Sequence, residues 1–199
     1  MKKITIVILF LFSSLSVASA DLGVNVGLSG QVGVFHATGV DTNNQTTGSD
    51  RIQTEDATGV AGYNSWFIEK TLGRFITVGY DYVLDTLASD SATSIRTTCV
   101  SGIANDCTIQ TNKVQVDFDK MNTLYVAVNI TENLYIKLGQ MSVDVITNEK
   151  LETGSTYGNT SLDGDMYGIG FNKTFDNTMF VRVEATRMDF DGAKMISAD

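Results

Sequence analysis

Residues 22–34 read LGVNVGLSGQVGV, in which every even position is apolar or glycine and every odd position is glycine or polar. This period of two residues indicates a β-strand with two different faces. The stretch covers 13 residues, which is about twice the usual length of a strand in a soluble sheet. A tilted strand that crosses a bilayer needs about 9–11 residues, so the stretch predicts a membrane-spanning strand with some overhang.

The same alternation recurs along the chain and predicts seven strands in total, with the apolar residues facing outward. Lys120 and Asn122 interrupt the apolar face of the fourth strand, and we place them at the outer membrane interface. Around Gly139 and Gln140 the phase of the fifth strand is ambiguous, which a β-bulge would explain. The predicted outward positions are the even positions of 22–34, Trp66 and Ile68, the even positions of 76–84, Val114, Val116 and Phe118, the even positions of 124–130, Tyr167, Ile169 and Phe171, and Met179, Val181, Val183 and Ala185.

The connections between these strands alternate between short and long. Short links lie near residues 73, 132 and 176, and long polar links lie at 39–58, 85–112 and 146–162. This alternation is typical of outer-membrane barrels with tight periplasmic turns and long external loops. A secreted soluble barrel or sandwich would show the same period with its apolar side inward. Strand length, loop asymmetry and the aromatic residues near strand ends favour the membrane.

The first 20 residues predict a signal peptide. Lys2 and Lys3 give a positive start, residues 4–12 read ITIVILFLF, and Ala18-Ser19-Ala20 forms a cleavage site of small residues. The apolar run is too short to be a spanning helix, which disfavours an N-terminal membrane anchor. We therefore expect a signal peptide at 1–20 and one β-barrel domain at 21–199, exported to the bacterial outer membrane.

Composition excludes several other classes of protein. The chain has 199 residues, which suits one domain, and its formal net charge is −9, or −11 without Lys2 and Lys3. A surface this acidic repels phosphate groups. We therefore expect no nucleic-acid partner. The mean hydropathy of +0.03 excludes a protein made of many membrane helices.

Leader, strands and loops together resemble the small outer-membrane β-barrel family that includes OmpA-type transmembrane domains, OmpX and the opacity proteins. The resemblance covers about residues 21–191 and rests on pattern and topology, as in 22–34 and 123–130, rather than on a sharp motif. It implies an antiparallel, up-and-down transmembrane barrel with eight strands and a filled or narrowly hydrated interior. It also implies outer-membrane lipids, lipopolysaccharide and the barrel-assembly machinery as partners, and no common reaction.

The sequence offers little for catalysis. A lipid-modifying or proteolytic barrel enzyme needs a nucleophile with a histidine base, or a His/Asp pair that activates water. His36, at the outer end of the first strand, is the one histidine of the chain, and no serine stands two residues after it. We therefore expect no enzyme and no cofactor, and we interpret His36 as a solvated or interfacial side chain of the rim.

Five charged residues are predicted to face inward: Glu69, Asp81, Lys137, Arg182 and Glu184. Isolated charges in a narrow interior are costly, so opposite charges should pair across strands. An eight-stranded barrel is just wide enough for side chains, which favours a closed network over an open, wet pore. We expect Arg182 to contact Glu69, Asp81 or Glu184.

Aspartates should cluster at the outer strand ends. Asp163-x-Asp165 and Asp189-x-Asp191 look like fragments of calcium loops without the remaining ligands. With Asp117, Asp119 and Asp144 they predict a solvated acidic rim. A sharper alternative is divalent-cation bridging to anionic lipid headgroups, for which Asp163, Asp165, Asp189 and Asp191 are weak candidates.

Cys99 and Cys107 lie eight positions apart in the longest predicted loop. In an oxidising compartment this spacing predicts a disulfide rather than two free thiols. Closing so short a ring would restrict the unfolded loop by about 2–3 kcal/mol, and would stiffen the loop rather than hold the barrel.

Seven crossings from a periplasmic start leave the C-terminus outside, whereas bacterial single-chain barrels have an even number of strands. We therefore expect the chain to lack a closing strand, for which the resemblance implies an aromatic last residue, unlike Asp199. Lipid cannot satisfy unpaired backbone groups. We expect either a gap between the strands at 22–34 and 179–186 or a strained closure of seven strands.

These observations favour a non-enzymatic outer-membrane protein with a structural or adhesion-like role through its external loops. A narrow porin-like channel for small solutes is the alternative, and a barrel enzyme is a weaker one. A continuous polar tunnel would favour transport, whereas interlocked charges with Phe35, Phe67, Tyr125 and Phe180 would favour a closed interior.

Overall fold

The structure is a computed structural model that describes residues 4–8, 15–19, 23–43, 51–99, 107–152, 156–175 and 179–192. Regular secondary structure in these ranges consists of β-strands. Within the same ranges, no helix has the length and the apolar character that a membrane crossing requires.

The strands form one antiparallel sheet of 11 strands. Their bounds are β1 Ile4–Ile8, β2 Leu15–Ser19, β3 Val24–Asn43, β4 Arg51–Leu72, β5 Ile76–Val83, β6 Leu87–Ala88, β7 Ala92–Cys99, β8 Cys107–Asn129, β9 Leu134–Lys150, β10 Thr160–Phe175 and β11 Met179–Phe190. The long strands pair in the order β3-β4-β5-β8-β9-β10-β11, while β6 and β7 pair with β8. The predicted all-β, antiparallel, up-and-down barrel architecture is confirmed.

The two faces of the sheet differ in polarity. On β3, β4, β5, β10 and β11 the predicted faces are observed, because period-two alternation continues without an inserted residue. Outward positions expose large apolar side chains, and inward positions bury polar as well as apolar ones. Exposed outward residues are Val26, Leu28, Val32, Val34, Ile68, Ile76, Leu124, Val126, Val128, Ile136, Leu138, Ile169, Phe171, Val181 and Val183.

The first half of β8 contradicts the predicted phase. Val116 and Phe118, expected to face outward with Val114, pack against the buried core. The pairing with β9 shifts between Asp119 and Asn122, where β8 carries one extra residue, and Lys120 adopts a φ of 52°. A β-bulge of this kind turns all later side chains to the other face.

The phase of β9 is unbroken. Tyr135, Lys137 and Met141 are buried, while Ile136 and Leu138 are exposed. The irregularity suspected at Gly139 and Gln140 therefore belongs to the neighbouring strand β8. A register shift between two paired strands can result from an extra residue in either strand. The sequence of β9 alone therefore did not show which strand carries that residue.

The three long links contain far more strand than expected. β3 and β4 pair up to Asn43 and Arg51, inside the predicted loop 39–58. The predicted loop 85–112 contains β6, β7 and the start of β8, and the predicted loop 146–162 begins and ends in strand. The reason is that hairpin ladders continue beyond the apolar faces, through segments rich in threonine, a residue that favours strands.

The junction between β3 and β11 shows neither the gap nor the direct closure that we expected. β2 pairs with β3, from Leu15 opposite Leu28 to Ser19 opposite Val24, and Val17 lies opposite Met179 of β11. β1 pairs with the other end of β11. Residues of the predicted signal peptide thus stand between the two strands and pair with their edge groups, which would otherwise lack partners. Cleavage after Ala20 stays a prediction.

Candidate functional site

The predicted inward charges lie in the half of the barrel nearest the short turns at 73–75 and 131–133, here called the turn end. The opposite end is the loop end. Glu69, Lys137 and Glu184 are buried to 4%, 6% and 6% exposure. Each lies on the inward face of a different strand, so pairing among them requires the sheet to curl.

Arg182 is the centre of this network. Its Nη1 and Nη2 donate to Oε2 and Oε1 of Glu69 at 3.1 and 2.9 Å. Nη1 also lies 3.7 Å from Oε1 of Glu184. A two-pronged guanidinium–carboxylate pair is among the strongest of protein hydrogen-bonding arrangements and fixes the orientation of both groups. Arg182, for which we expected a contact with Glu69, Asp81 or Glu184, therefore contacts two of them.

Lys137 supplies the second cation. Its Nζ donates to Oε2 of Glu184 at 3.1 Å and lies 3.9 Å from the centre of the Tyr125 ring. A cation over an aromatic face is attracted by the electrons of the ring, more strongly where water is excluded. Lys137 is thus held from two sides, by a carboxylate and by a ring.

Two tyrosine hydroxyls also donate hydrogen bonds to carboxylates of the network. The hydroxyl of Tyr125 donates to Oε2 of Glu69 at 2.9 Å, and Asn25 Nδ2 donates to Oε1 of Glu69 at 3.0 Å. The hydroxyl of Tyr135 donates to Oε1 of Glu184. Buried charges are tolerated when they are both paired and hydrogen-bonded, and Glu69 and Glu184 meet both conditions.

Each tyrosine lies over a glycine of the neighbouring strand. Tyr125 is opposite Gly79 and Tyr135 is opposite Gly170. A Cβ added at Gly79 or Gly170 would come within 2.3 or 2.2 Å of the facing ring. The aromatic ring covers backbone that glycine leaves bare, a known way to stabilise glycine in a sheet. Here the same arrangement aims the two hydroxyls at the two carboxylates.

We expect Gly170→Ala to lower the free energy of unfolding by about 1–3 kcal/mol, because the methyl group would displace Tyr135 in a filled interior. Equilibrium unfolding in lipid vesicles measures the change. Gly59→Ala in β4 is the matched control, since a Cβ there meets nothing within 4 Å. Equal losses for the two variants would contradict a tyrosine held against Gly170.

Asp81 differs from the other two carboxylates. It accepts a hydrogen bond from Ser65 Oγ at 3.0 Å, and Ser65 is itself linked to Ser29 at 2.6 Å and to Gln31 at 3.1 Å. The salt bridges of the described residues do not include Asp81. With three carboxylates and two cations, the described network holds one negative charge in excess, and Asp81 carries it.

We therefore expect opposite effects from neutralising two of these acids. Asp81→Asn keeps the acceptor for Ser65 and removes an unpaired charge, which should leave the barrel unchanged or raise its unfolding free energy by about 1 kcal/mol. Glu69→Gln removes the negative charge nearest to the Arg182 guanidinium. It should therefore lower the free energy of unfolding by about 2 kcal/mol or more. Chemical unfolding of both variants in vesicles compares the signs, and a loss for Asp81→Asn equal to that for Glu69→Gln would refute the assignment.

Nearer the loop end, the interior is apolar. We call this cluster the apolar layer, and Tyr125 also belongs to the charged network. Its buried residues are Tyr63, Val83, Leu87, Met121, Tyr125, Met141, Val143, Val145, Leu162, Met166, Met188 and Phe190, and Phe35, Ala61, Val116 and Phe118 pack against it. The layer was missed from the sequence because Val116 and Phe118 were assigned to the outward face. These are half of the side chains that β8 contributes to the layer.

Two small cavities lie beside the charged network. One cavity of about 20 Å³ is bounded by Asp81, Lys137 and Glu184 on one side and by Met121 and Met188 on the other. A second, of about 10 Å³, lies among Phe67, Tyr125 and Arg182. A cavity needs roughly 10–15 Å³ to hold one water molecule, so these spaces are the size of single waters.

The remaining predicted site residues lie at the loop end. His36 is exposed, with Nδ1 3.2 Å from Thr58 Oγ1. Asp165 is opposite Asp189, whose Oδ1 accepts from Arg187 Nε at 3.1 Å. The backbone amide of Asp191 donates to the backbone oxygen of Asp163 at 2.8 Å. The described residues contain no group of three or more metal-ligating side chains.

The other rim aspartates have partners of their own. Lys120 Nζ donates to Asp144 Oδ2 at 3.2 Å. Asn148 donates to Asp117 at 2.6 Å, and Thr86 donates to Asp119 at 3.0 Å. Within the described chain the rim is therefore a set of separate polar pairs.

Cys99 and Cys107 lie opposite each other in the register of β7 and β8. Directly opposed residues in an antiparallel ladder have Cα atoms about 4.5–5.5 Å apart, which falls within the range of disulfides. The backbone register is thus compatible with the predicted disulfide, which stays a prediction.

The interior also contains contacts that the pattern of charges did not predict. The guanidinium carbon of Arg182 lies 4.9 Å from the centre of the Phe180 ring and 5.2 Å from that of Tyr135. The available signal was a glycine at an inward strand position, Gly79 or Gly170, with a tyrosine on the next strand.

No protein-family model, curated protein sequence or solved structure matches this chain significantly.

Proposed function

We propose that this chain is a non-enzymatic integral protein of the bacterial outer membrane, a small β-barrel of the OmpA-like kind. One observation carries the proposal: large apolar side chains face outward while charged side chains are buried inside. Leu28 and Leu124 are each 59% exposed on the outside, while Ser65, Glu69 and Glu184 are 0%, 4% and 6% exposed inside. Water would favour the opposite arrangement, whereas a lipid environment favours this one.

Aromatic side chains on the outward face also support a membrane location. Trp66 packs beside Tyr80 and Tyr82, with ring centres 5.9 and 6.1 Å apart. Tryptophan and tyrosine are enriched at the boundary between lipid and water. The sequence pattern of a leader at 1–20 adds a route of export. Because β1 and β2 lie within these residues, the closed interior described here is that of the chain that retains them. On this proposal, outer-membrane lipids and lipopolysaccharide surround the barrel, and the barrel-assembly machinery inserts it.

The interior favours a closed barrel over the alternative of a narrow channel. Arg182, Lys137, Glu69 and Glu184 interlock across the interior, and the two cavities described beside them measure about 20 and 10 Å³. A pore for solutes requires a continuous polar path. The binding role, structural or adhesion-like, then falls to the loop end, where the β3–β4 hairpin continues to Asn43 and Arg51.

Two measurements on the full chain test this proposal. Expressed in a bacterium with an outer membrane, the chain should fractionate with that membrane and resist extraction by alkali. A soluble periplasmic product would overturn the membrane assignment. Reconstituted in a planar bilayer, the same protein should give no regular conductance steps, whereas reproducible steps would establish the channel instead.

The disulfide is a prediction about the loop end. We expect thiol-specific reagents to label neither Cys99 nor Cys107 under denaturing, non-reducing conditions, and to label both after reduction. Oxidising compartments favour the bond, and β7 and β8 place the two residues in register. Two reactive thiols before reduction would refute it.

A further inference from the structure

The barrel interior is closed by two layers of different chemistry. The charged network lies toward the turn end, and the apolar layer lies toward the loop end. The cavity of about 20 Å³ separates them, with charged groups on one side and Met121, Met166 and Met188 on the other. Thr186 lines the same cavity and is 5% exposed. The two layers therefore face each other across a space the size of one water molecule.

Different strand positions build the two layers. On β9, Lys137 belongs to the network, while Met141, Val143 and Val145, farther along the same face, belong to the apolar layer. On β11, Glu184 and Met188 are divided in the same way. On β9 and β11 the two layers therefore lie at separate heights, and we expect loss of an ion pair in the network to leave most side chains of the apolar layer in place.

The apolar layer opposes ions by itself. Its buried side chains are 1–8% exposed, so these side chains offer little surface to water. Hydrophobic constrictions block conduction by excluding water, and moving an unpaired charge into apolar surroundings costs several kcal/mol or more. The four methionines in the layer are flexible side chains that fill irregular gaps, so small local shifts do not open a path.

We propose that the apolar layer is a second barrier to ions, independent of the ion pairs, so that opening the charged network alone does not make the barrel conduct. This inference rests on the proposed closed membrane barrel. It assigns to Met121 and Met188 a role in permeability that does not depend on the charged residues. Conduction then requires both layers to be opened together.

The test uses the full chain in planar bilayers with three sets of substitutions. Glu69→Gln with Arg182→Gln removes the central ion pair without leaving a lone charge, which limits the cost to folding. Met121→Ser with Met188→Ser makes the apolar layer smaller and polar. The third protein combines all four changes. Met121→Leu with Met188→Leu, which keeps an apolar layer of similar volume, is the control.

We expect no conductance steps from the network variant or the layer variant alone, and reproducible steps from the combined variant. Steps from the network variant that match those of the combined variant would overturn the inference. So would a combined variant that folds and does not conduct. Steps from the unsubstituted chain would instead overturn the proposed closed barrel, so the two failures are distinguishable.

A second measurement covers the case in which the combined variant does not fold. Thr186→Cys, with Cys99→Ser and Cys107→Ser, introduces one thiol between the layers. A membrane-impermeant thiol reagent added at the loop end should leave it unlabelled, and should label it once Met121→Ser and Met188→Ser are present. Equal labelling with and without those two changes would contradict the second barrier.

Discussion

Replacement of Arg182 by alanine is expected to lower the free energy of unfolding by about 3–5 kcal/mol, the usual cost of removing one partner from a buried ion pair. The loss has two sources. Glu69 loses both guanidinium hydrogen bonds, of 2.9 and 3.1 Å, and Glu184 keeps Lys137 but loses its second cation. The buried carboxylate of Glu69 is then left without an opposite charge.

Denaturant unfolding of the full chain in lipid vesicles measures this loss. Arg187→Ala is the matched control on the same strand, because Arg187 pairs with Asp189 at the surface with its side chain 52% exposed. Exposed pairs of this kind contribute no more than about 1 kcal/mol. An Arg182→Ala barrel as stable as the Arg187→Ala barrel would show that the interior charges are hydrated separately rather than paired.

On the proposed membrane location, Val126→Arg is expected to lower the stability of the barrel in a bilayer by about 2–4 kcal/mol, the cost of arginine on a lipid-facing strand near the midplane. Val126 is 40% exposed and lies opposite the outward residues Val78 and Leu138. Ile109→Arg is the control: Ile109 is also on β8 and 66% exposed, but it lies in the extension beyond the apolar belt. A similar loss for both variants would contradict the belt.

Ala127→Arg should behave differently from its neighbour. Ala127 is 6% exposed and lies opposite Lys137, so an arginine there adds bulk and a third positive charge to the interior. That loss does not depend on lipid and should persist in detergent micelles, where the effect of Val126→Arg becomes smaller. Equal dependence on the lipid at the two positions would refute the assigned faces.

Alternation of residues was sufficient to predict the faces of β3, β5 and β11, because one uninterrupted period of two orients every side chain. It was insufficient for β8, where a single extra residue between Asp119 and Asn122 reverses the faces. Lys120 and Asn122 carried the signal, since polar residues interrupt an apolar run there. The same interruption also fits a membrane interface, and the sequence alone does not separate the two explanations.

The candidate site was likewise predictable from the sequence only in part. The inward charges follow from phase alone, and their pairing follows from the cost of burying them. The contacts of Tyr125 and Tyr135 depend on which residues of adjacent strands stand opposite each other, such as Tyr125 and Gly79. Strand register is set by the turns and by the bulge together, so an error of one residue in β8 removes this information.

The ion pair between Glu69 and Arg182 joins residues 113 positions apart in the chain. Hairpins such as β4–β5 and β10–β11 require only local contacts and can form early, whereas this pair must wait until the sheet has curled far enough to bring its distant strands face to face. Contacts made after the rate-limiting step act mainly on the rate of unfolding. The charged network would then mainly lower the rate at which a finished barrel unfolds. It would have little effect on the rate at which the barrel forms.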